Sequence, residues 1–439
     1  MMRRRTALIY CFALLMLTGP WLAPGESAQA WAAQVTVSGQ LRVRPEVRDN
    51  ADFDSSQDDT LGFWGSRARV SFEAQLDEQT SALITLQDSR NWGQKTGGAQ
   101  SGREMESVDI FEAYFQMKKL GGLPVGVKLG RQSLVYGDQR LLGDLDWGNS
   151  GRAHDALKLM IELNMASIDI FTTKENDPTL HTSDGGNDDE LTGVYAMAGL
   201  AEGITLDLYA MKWKTAVTVV YRDMSVHALK AHDILTYGAR VAFIRGALDA
   251  TAEVVFQSGK WAEGVNQVAS AMAFTAGFRV DALGGARLGL EYAIGSGDGV
   301  RDDNQHKTFV FPFHNNHTHY GKMDYFSWGN MQDIALKLAT GPMAGGYSLN
   351  LDFHMFYLYR GGDDWLNAEG VAPFKTWATD KFNTEAGSEI DVTLSRSMSS
   401  AWTLTAGYSA FMPGAAAEER ASGRSDASHW AYIESSLEF

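Results

Sequence analysis

Residues 67–76 read Arg-Ala-Arg-Val-Ser-Phe-Glu-Ala-Gln-Leu, and polar and apolar side chains alternate along them. Ala68, Val70, Phe72 and Leu76 share one parity; Arg67, Arg69, Ser71, Glu73 and Gln75 share the other. Successive strand residues point to opposite faces, so this is a strand with one dry side and one wet side. The pattern recurs. Val35, Val37, Leu41 and Val43 oppose Gln40, Arg42, Arg44 and Glu46. Phe111, Ala113, Phe115 and Met117 oppose Glu112, Tyr114, Gln116 and Lys118. Leu349, Leu351, Phe353, Met355 and Tyr357 oppose Asn350, Asp352, His354 and Arg360. Taken singly, each segment fits the half-buried sheet of a soluble protein equally well.

Number and connection decide between the two. Strands are expected near 35–47, 63–76, 80–90, 108–118, 124–132, 155–163, 165–174, 188–198 and 204–214 in the first half. The second half gives 236–245, 248–257, 268–280, 285–295, 332–339, 347–360, 387–396, 402–411 and 428–439. The total is even, eighteen by these segments, as a single-chain bacterial barrel requires. Joins from even to odd strands are tight (77–79, 120–123, 164, 199–203, 246–247, 281–284, 397–401). Joins from odd to even strands are long (48–62, 91–107, 133–154, 175–187, 215–235, 258–267, 296–331, 361–386, 412–427). Short periplasmic turns opposite long surface loops predict an all-β fold: a transmembrane antiparallel up-and-down barrel embedded in outer-membrane lipid.

The two ends agree. The last strand runs from His429 to Phe439, with Ala431, Ile433, Ser435, Leu437 and Phe439 on one face. A terminal aromatic on an amphipathic strand is the kind of signal the barrel-assembly machinery takes as a partner. At the other end, Arg3, Arg4 and Arg5 precede an apolar run, Thr6 to Leu17, that is too short to span a bilayer. Small residues around Ala28 to Ala33 follow, so residues 1–33 read as a cleaved secretory signal and 34–439 as one barrel domain. Cys11 is the only cysteine and lies in that signal. Removing three arginines and Glu26 moves the formal charge from −16 to −18. Such an acidic chain is a poor partner for nucleic acid.

Three segments are similar to the alginate-export family of outer-membrane barrels. The first is Gly130-Arg131-Gln132, Tyr136-Gly137-Asp138, Arg140-Leu141, Asp146-Trp147, Asn149, Gly151-Arg152 and Asp155-Ala156. The second runs Gly295-Ser296-Gly297-Asp298, Thr308-Phe309, His317, Tyr320-Gly321, Met323-Asp324, Phe326, Trp328, Asn330 and Asp333. The third is Glu389-Ile390-Asp391-Val392-Thr393-Leu394, then Ala406-Gly407-Tyr408, Phe411 and Pro413-Gly414. The resemblance implies a passive conduit for a polysaccharide or small anionic or polar solute, with an arginine-lined constriction, in a monomer. Two features depart from it. The turn between the sixteenth and seventeenth strands is only Ser397 to Ala401, and the inward faces mix signs. Arg42, Arg44, Arg67, Arg69, Lys118, Lys128, Lys158 and Arg240 stand among Glu46, Glu73, Glu112, Glu162, Asp207, Asp249 and Glu253.

A conduit for an anion needs fixed positive charge where the solute sheds water. Arg42, Arg44, Arg67 and Arg69, inward on neighbouring strands, are candidates; pairing with Glu46 and Glu73 is the alternative. In loop 133–154, Arg131, Arg140 and Arg152 are expected to touch solute. Asp138, Asp144, Asp146, Trp147 and Asp155 are expected to anchor the loop. His314, His317 and His319 cluster in the longest loop, but a loose loop preorganises metal poorly, so no metal or other cofactor is expected. No Gly-x-Ser-x-Gly elbow or phosphate loop stands at a strand-to-helix turn, so the chain is not read as an enzyme. A second reading keeps the barrel but makes it a general porin, or plugs its lumen with loops that bind partners outside.

Overall fold

The computed structural model describes residues 33–93, 108–175, 189–215, 232–300, 303–372 and 382–439, with the backbone of 220–222 and 225–227. Residues 1–32 of the expected signal, 1–33, lie outside them. Residues 34–439 form one compact unit.

That unit is a closed antiparallel barrel of eighteen strands. The first nine are β1 (Gln34–Asp49), β2 (Leu61–Gln75), β3 (Thr80–Trp92), β4 (Asp109–Met117), β5 (Val125–Gln132), β6 (His154–Glu162), β7 (Ala166–Glu175), β8 (Asp189–Ala201) and β9 (Ile204–Thr215). The remainder are β10 (His232–Arg245), β11 (Leu248–Ala262), β12 (Val265–Val280), β13 (Ala286–Gly295), β14 (Met331–Ala339), β15 (Tyr347–Leu358), β16 (Glu385–Ser397), β17 (Trp402–Pro413) and β18 (Ser428–Glu438). Each pairs with its neighbours in sequence, and β18 closes on β1, with Leu437 opposite Leu41. Closure removes every sheet edge, which is what permits strands to cross lipid. Phe439 extends the seam: its main chain exchanges hydrogen bonds with Gly39 at 2.8 and 3.1 Å.

The outer wall exposes the apolar parity, among it Val37, Phe72, Leu208, Phe256, Phe274 and Ile433. The inner wall changes along its height. Thr36 and Ser38 on β1 are exposed, whereas Arg42, Arg44 and Glu46 above them are buried. The same step occurs on β15, from Asn350 to His354, and on β18, from Glu438 to Trp430. Loops folded inward fill the surface half of the lumen, and the periplasmic half is left as a wet vestibule.

Two expectations are corrected by local irregularities. The connection expected over 258–267 is a tight turn: a register shift between Lys260 and Ala262 breaks the alternation, but β11 and β12 continue pairing to Ala262 and Val265. Phe111, assigned to the lipid face, is the extra residue of a bulge: Thr85 pairs with Glu112, and Leu86 with Ile110. A bulge re-aims a side chain. Here it brings the Phe111 ring under the Arg69 guanidinium at 3.7 Å.

Candidate functional site in the barrel lumen

Arg42 pairs across β1–β2 with Arg67, and Gln40 with Arg69. Directly opposed residues share a face, so Arg42, Arg44, Arg67 and Arg69 crowd one patch of the inner wall. Four guanidiniums this close repel one another unless acceptors stand between them. The acceptors come from the loop after β5. Arg42 donates to the carbonyls of Asp146 (2.9 Å), Trp147 (3.2 Å) and Gly148 (2.9 Å). Arg67 donates to the carbonyls of Asp146 (3.0 Å) and Gly148 (3.2 Å) and to the Asp146 carboxylate (3.2 Å). Arg69 reaches the same carboxylate at 2.8 Å and donates to Gln87 at 2.6 Å. Arg44 takes the Trp147 carbonyl (3.0 Å), Glu46 (2.8 Å) and Glu434 (3.3 Å). Burial alone would raise the Asp146 carboxyl, but Arg67 and Arg69 hold it below the ordinary carboxylate value. Hydrogen bonds with one charged partner are the stronger kind, and here they converge on three loop residues, Asp146 to Gly148.

The loop is packed as well as bonded. The Trp147 ring stacks on His317 at 4.2 Å, meets Tyr432 edge-on at 5.1 Å, and carries the Arg44 guanidinium 3.7 Å from its centroid. Asn149 donates to the main-chain carbonyls of Ser66 (3.1 Å) and Arg90 (3.0 Å). The Asp144 carbonyl accepts from the Arg152 amide at 2.6 Å.

Its other limb crosses to β13 and β14. Arg140 is 2% exposed and donates to Glu291 (2.6 Å), the Tyr320 hydroxyl (3.1 Å) and Asp138 (3.4 Å). Lys337 completes the cluster on Glu291 at 2.8 Å. The loop after β13 folds in alongside. Its Phe313 carbonyl accepts from Gly143, its Asn315 amide donates to Gln139, and its His319 contacts the Asp138 carbonyl at 2.7 Å. Phe309, Phe326 and Trp328 bury themselves between this loop and the wall, with Trp365 from the loop after β15 stacked on Phe326 at 4.8 Å. His314, His317 and His319 turn to separate partners: Asn316, Asp324 and Asp138.

Among the expected solute contacts, the structure gathers Arg42, Arg44, Arg67 and Arg69 on one wall, and parity did not show that loop carbonyls occupy them. Arg140 is locked into the Glu291 cluster, and Arg152 donates to the His314 carbonyl at 3.0 Å. Arg131 and Asp155 are corrected. They pair with each other on the parity of Ala113, facing outward, and bond at 3.4 Å. Glu291, Gln87 and Glu434 complete the site without having been named as candidates, and Tyr320, quoted only within the family-like segment, joins them. Glu434 carried a further sequence signal, its inward parity on β18.

A model of the family described as alginate export matches residues 33–430. No curated protein matches the chain. Solved structures share its fold at low identity. OccK11 (OpdR) of Pseudomonas aeruginosa is 11% identical with a TM-score of 0.60, covering 92% of this chain and 96% of its own. OccK3 (OpdO) of Pseudomonas aeruginosa is 10% identical at a TM-score of 0.61, with coverage of 92% and 96%. The outer membrane protein OprD from the same organism is 8% identical at 0.60, covering 94% and 97%. Family and fold are those of transport porins rather than enzymes, and both place the barrel in the bacterial outer membrane. The chain belongs to the alginate export family of outer-membrane β-barrels.

Proposed function

We propose that the barrel is a passive diffusion channel for a polysaccharide or a small anionic or polar solute, shut at rest by loop 133–153 seated on the arginine wall. One observation carries this reading. Asp146 and Arg69 form the floor of the seated loop, with side chains 48% and 15% exposed, while Arg42, Arg44 and Arg67 lie at 6% or less. Beneath them opens a polar recess of about 320 Å³ lined by Ser38, Gln40, Ser71 and Glu438. A solute carboxylate entering from the vestibule meets Arg69 first and competes with Asp146 for the same donors. Exchanging one carboxylate for another is nearly balanced in energy, so the solute loosens the floor of the loop first, and its further contacts with the arginines must replace the loop carbonyls to release it.

Single-channel conductance in planar bilayers tests this, with and without uronate oligomers, on wild type and on Arg67→Glu with Arg69→Glu. Little resting current and anion-selective openings on adding oligomers are expected of wild type, and a standing current of reversed selectivity of the double change, which removes loop contacts. Steady current indifferent to both leaves a general porin. The depth to which aromatic loops fill the lumen favours a second reading, a static plug, and no current even with oligomers present would support it.

Two further assignments belong with the reading. Residues 1–33 serve as a cleaved secretion signal, and Phe439, fixed against Gly39, is what the assembly machinery takes hold of. The barrel works as a monomer, which its mass in detergent by light scattering checks.

A further inference from the structure

On the outer face, β5 to β11 carry a row of alternating charge. Arg131 pairs across to Asp155, Asp155 to Lys174, and Lys174 to Glu190. Glu190 pairs to Lys214, Lys214 to Asp233, and Asp233 to Lys260. These residues share parity with the exposed Val194, Leu208 and Phe256, so they point away from the lumen. They also stand at the surface-loop ends of their strands: Lys214 is next to the last residue of β9, and Lys174 next to the last of β7. The row therefore lies at the level of outer-leaflet headgroups, above the apolar band.

Its acids are partly committed and its lysines are in surplus. Asp155 bonds Arg131, and Asp233 bonds Lys212 at 2.8 Å. Among the described residues, Lys174, Lys214 and Lys260 make no ion pair. Below the lysines the wall is dented. Ala196, Ala210 and Ala239 are short, leaving a groove of about 490 Å³ walled by Val194, Leu208, Tyr237, Val254 and Phe256. Ala210 lies four residues below Lys214 on β9, about 13 Å at the usual strand rise.

We propose that the groove and the lysines above it form one site for a phosphate-bearing, acylated lipid of the outer leaflet. An acyl chain lies over Ala210 and Ala239 in the groove, and the phosphate is held by Lys214 and Lys260, with Lys212, shared with Asp233, beside them. Charge and shape select this occupant together. A neutral lipid gains nothing from the lysines, and a soluble anion gains nothing from an apolar groove at lipid depth.

The test is native mass spectrometry of the full-length barrel in detergent, titrated with diphosphorylated lipid A, its dephosphorylated form or phosphatidylethanolamine. Wild type is expected to retain lipid A through detergent exchange, at least tenfold more tightly than either comparison lipid. Lys212→Gln with Lys214→Gln and Lys260→Gln should remove that preference. Ala210→Phe, which fills the groove, should weaken lipid A about as much. Heat-modifiable gel mobility confirms that each variant is folded. Equal retention of phosphorylated and dephosphorylated lipid A, or wild-type retention by either variant, would overturn the proposal.

Discussion

The guanidinium of Arg67 is bonded twice to one residue of the loop above it, 3.0 Å from the Asp146 carbonyl and 3.2 Å from the Asp146 carboxylate. A wall arginine thus recognises a loop by its backbone as well as its charge. Removing the carboxylate leaves the carbonyl contacts of Arg42 and Arg67 in place and takes only the Arg67 and Arg69 ion pairs.

Asp146→Ala is therefore expected to loosen the loop without unfolding the barrel. A hydrogen bond to a charged group contributes about 1.5–3 kcal/mol, and the half-exposed carboxylate puts this one near the low end. About 1.4 kcal/mol corresponds to a tenfold rise in channel open probability. Single-channel recording and protease nicking within 133–153 report it; no change in either removes Asp146 as the latch.

Trp147→Ala deletes the stack on His317 and the edge contact to Tyr432. For a partly buried tryptophan the loss is expected at about 2–3 kcal/mol, below the 3–5 typical of a core position. Open events should lengthen while heat-modifiable mobility stays that of wild type.

Loop seating should weaken in acid. Burial, helped by the neighbouring Arg140, lowers His319 from 6.5 to about 4. A histidine whose folded value is depressed binds its proton first in the released loop. Its contribution is complete above pH 6.5 and is lost as pH falls toward 4, by at most about 3 kcal/mol. Asp363, raised by burial to about 6, acts with the opposite sign, losing its contribution as pH rises through 6. The comparison that isolates His319 is wild type against His319→Gln: open probability should climb more steeply between pH 7 and 4.5 in wild type. Parallel curves would exclude this role.

Gly39→Val tests the seam. A Cβ at Gly39 would lie 2.5 Å from the Phe439 ring and 2.8 Å from the Arg69 carbonyl. The C-terminal ring then loses its seat, and folded yield is expected to fall several-fold, read as the fraction of outer-membrane protein with folded-barrel mobility. Wild-type yield would show that the Phe439 position is dispensable for assembly.

The barrel was legible because lipid imposes the simplest pattern a sequence can carry, period two between turns. Parity also put Arg42, Arg44, Arg67 and Arg69 on one inner wall. It failed where the backbone broke step: at the Phe111 bulge and at Lys260, where the strands run on past the end of the alternation. The partners of the arginines were illegible for a different reason. Main-chain carbonyls of residues 146–148, about a hundred positions away from Arg42, have no sequence signature at all. Arg131 shows the limit of motif reading, since its neighbours in sequence are in the lumen loop while its side chain faces outward to Asp155.

The most direct test of loop gating uses the absence of cysteine from residues 34–439. A Cβ at Gly65 would lie 3.5 Å from the Asn149 carboxamide oxygen, so Gly65→Cys with Asn149→Cys brings two thiols within reach of a disulfide between wall and loop. Single-channel current through this variant is measured oxidised and then after dithiothreitol. If loop 133–153 is the gate, the oxidised channel stays shut and reduction restores uronate-sensitive openings. Identical current in both states would show that the solute path does not depend on the loop leaving the arginine wall.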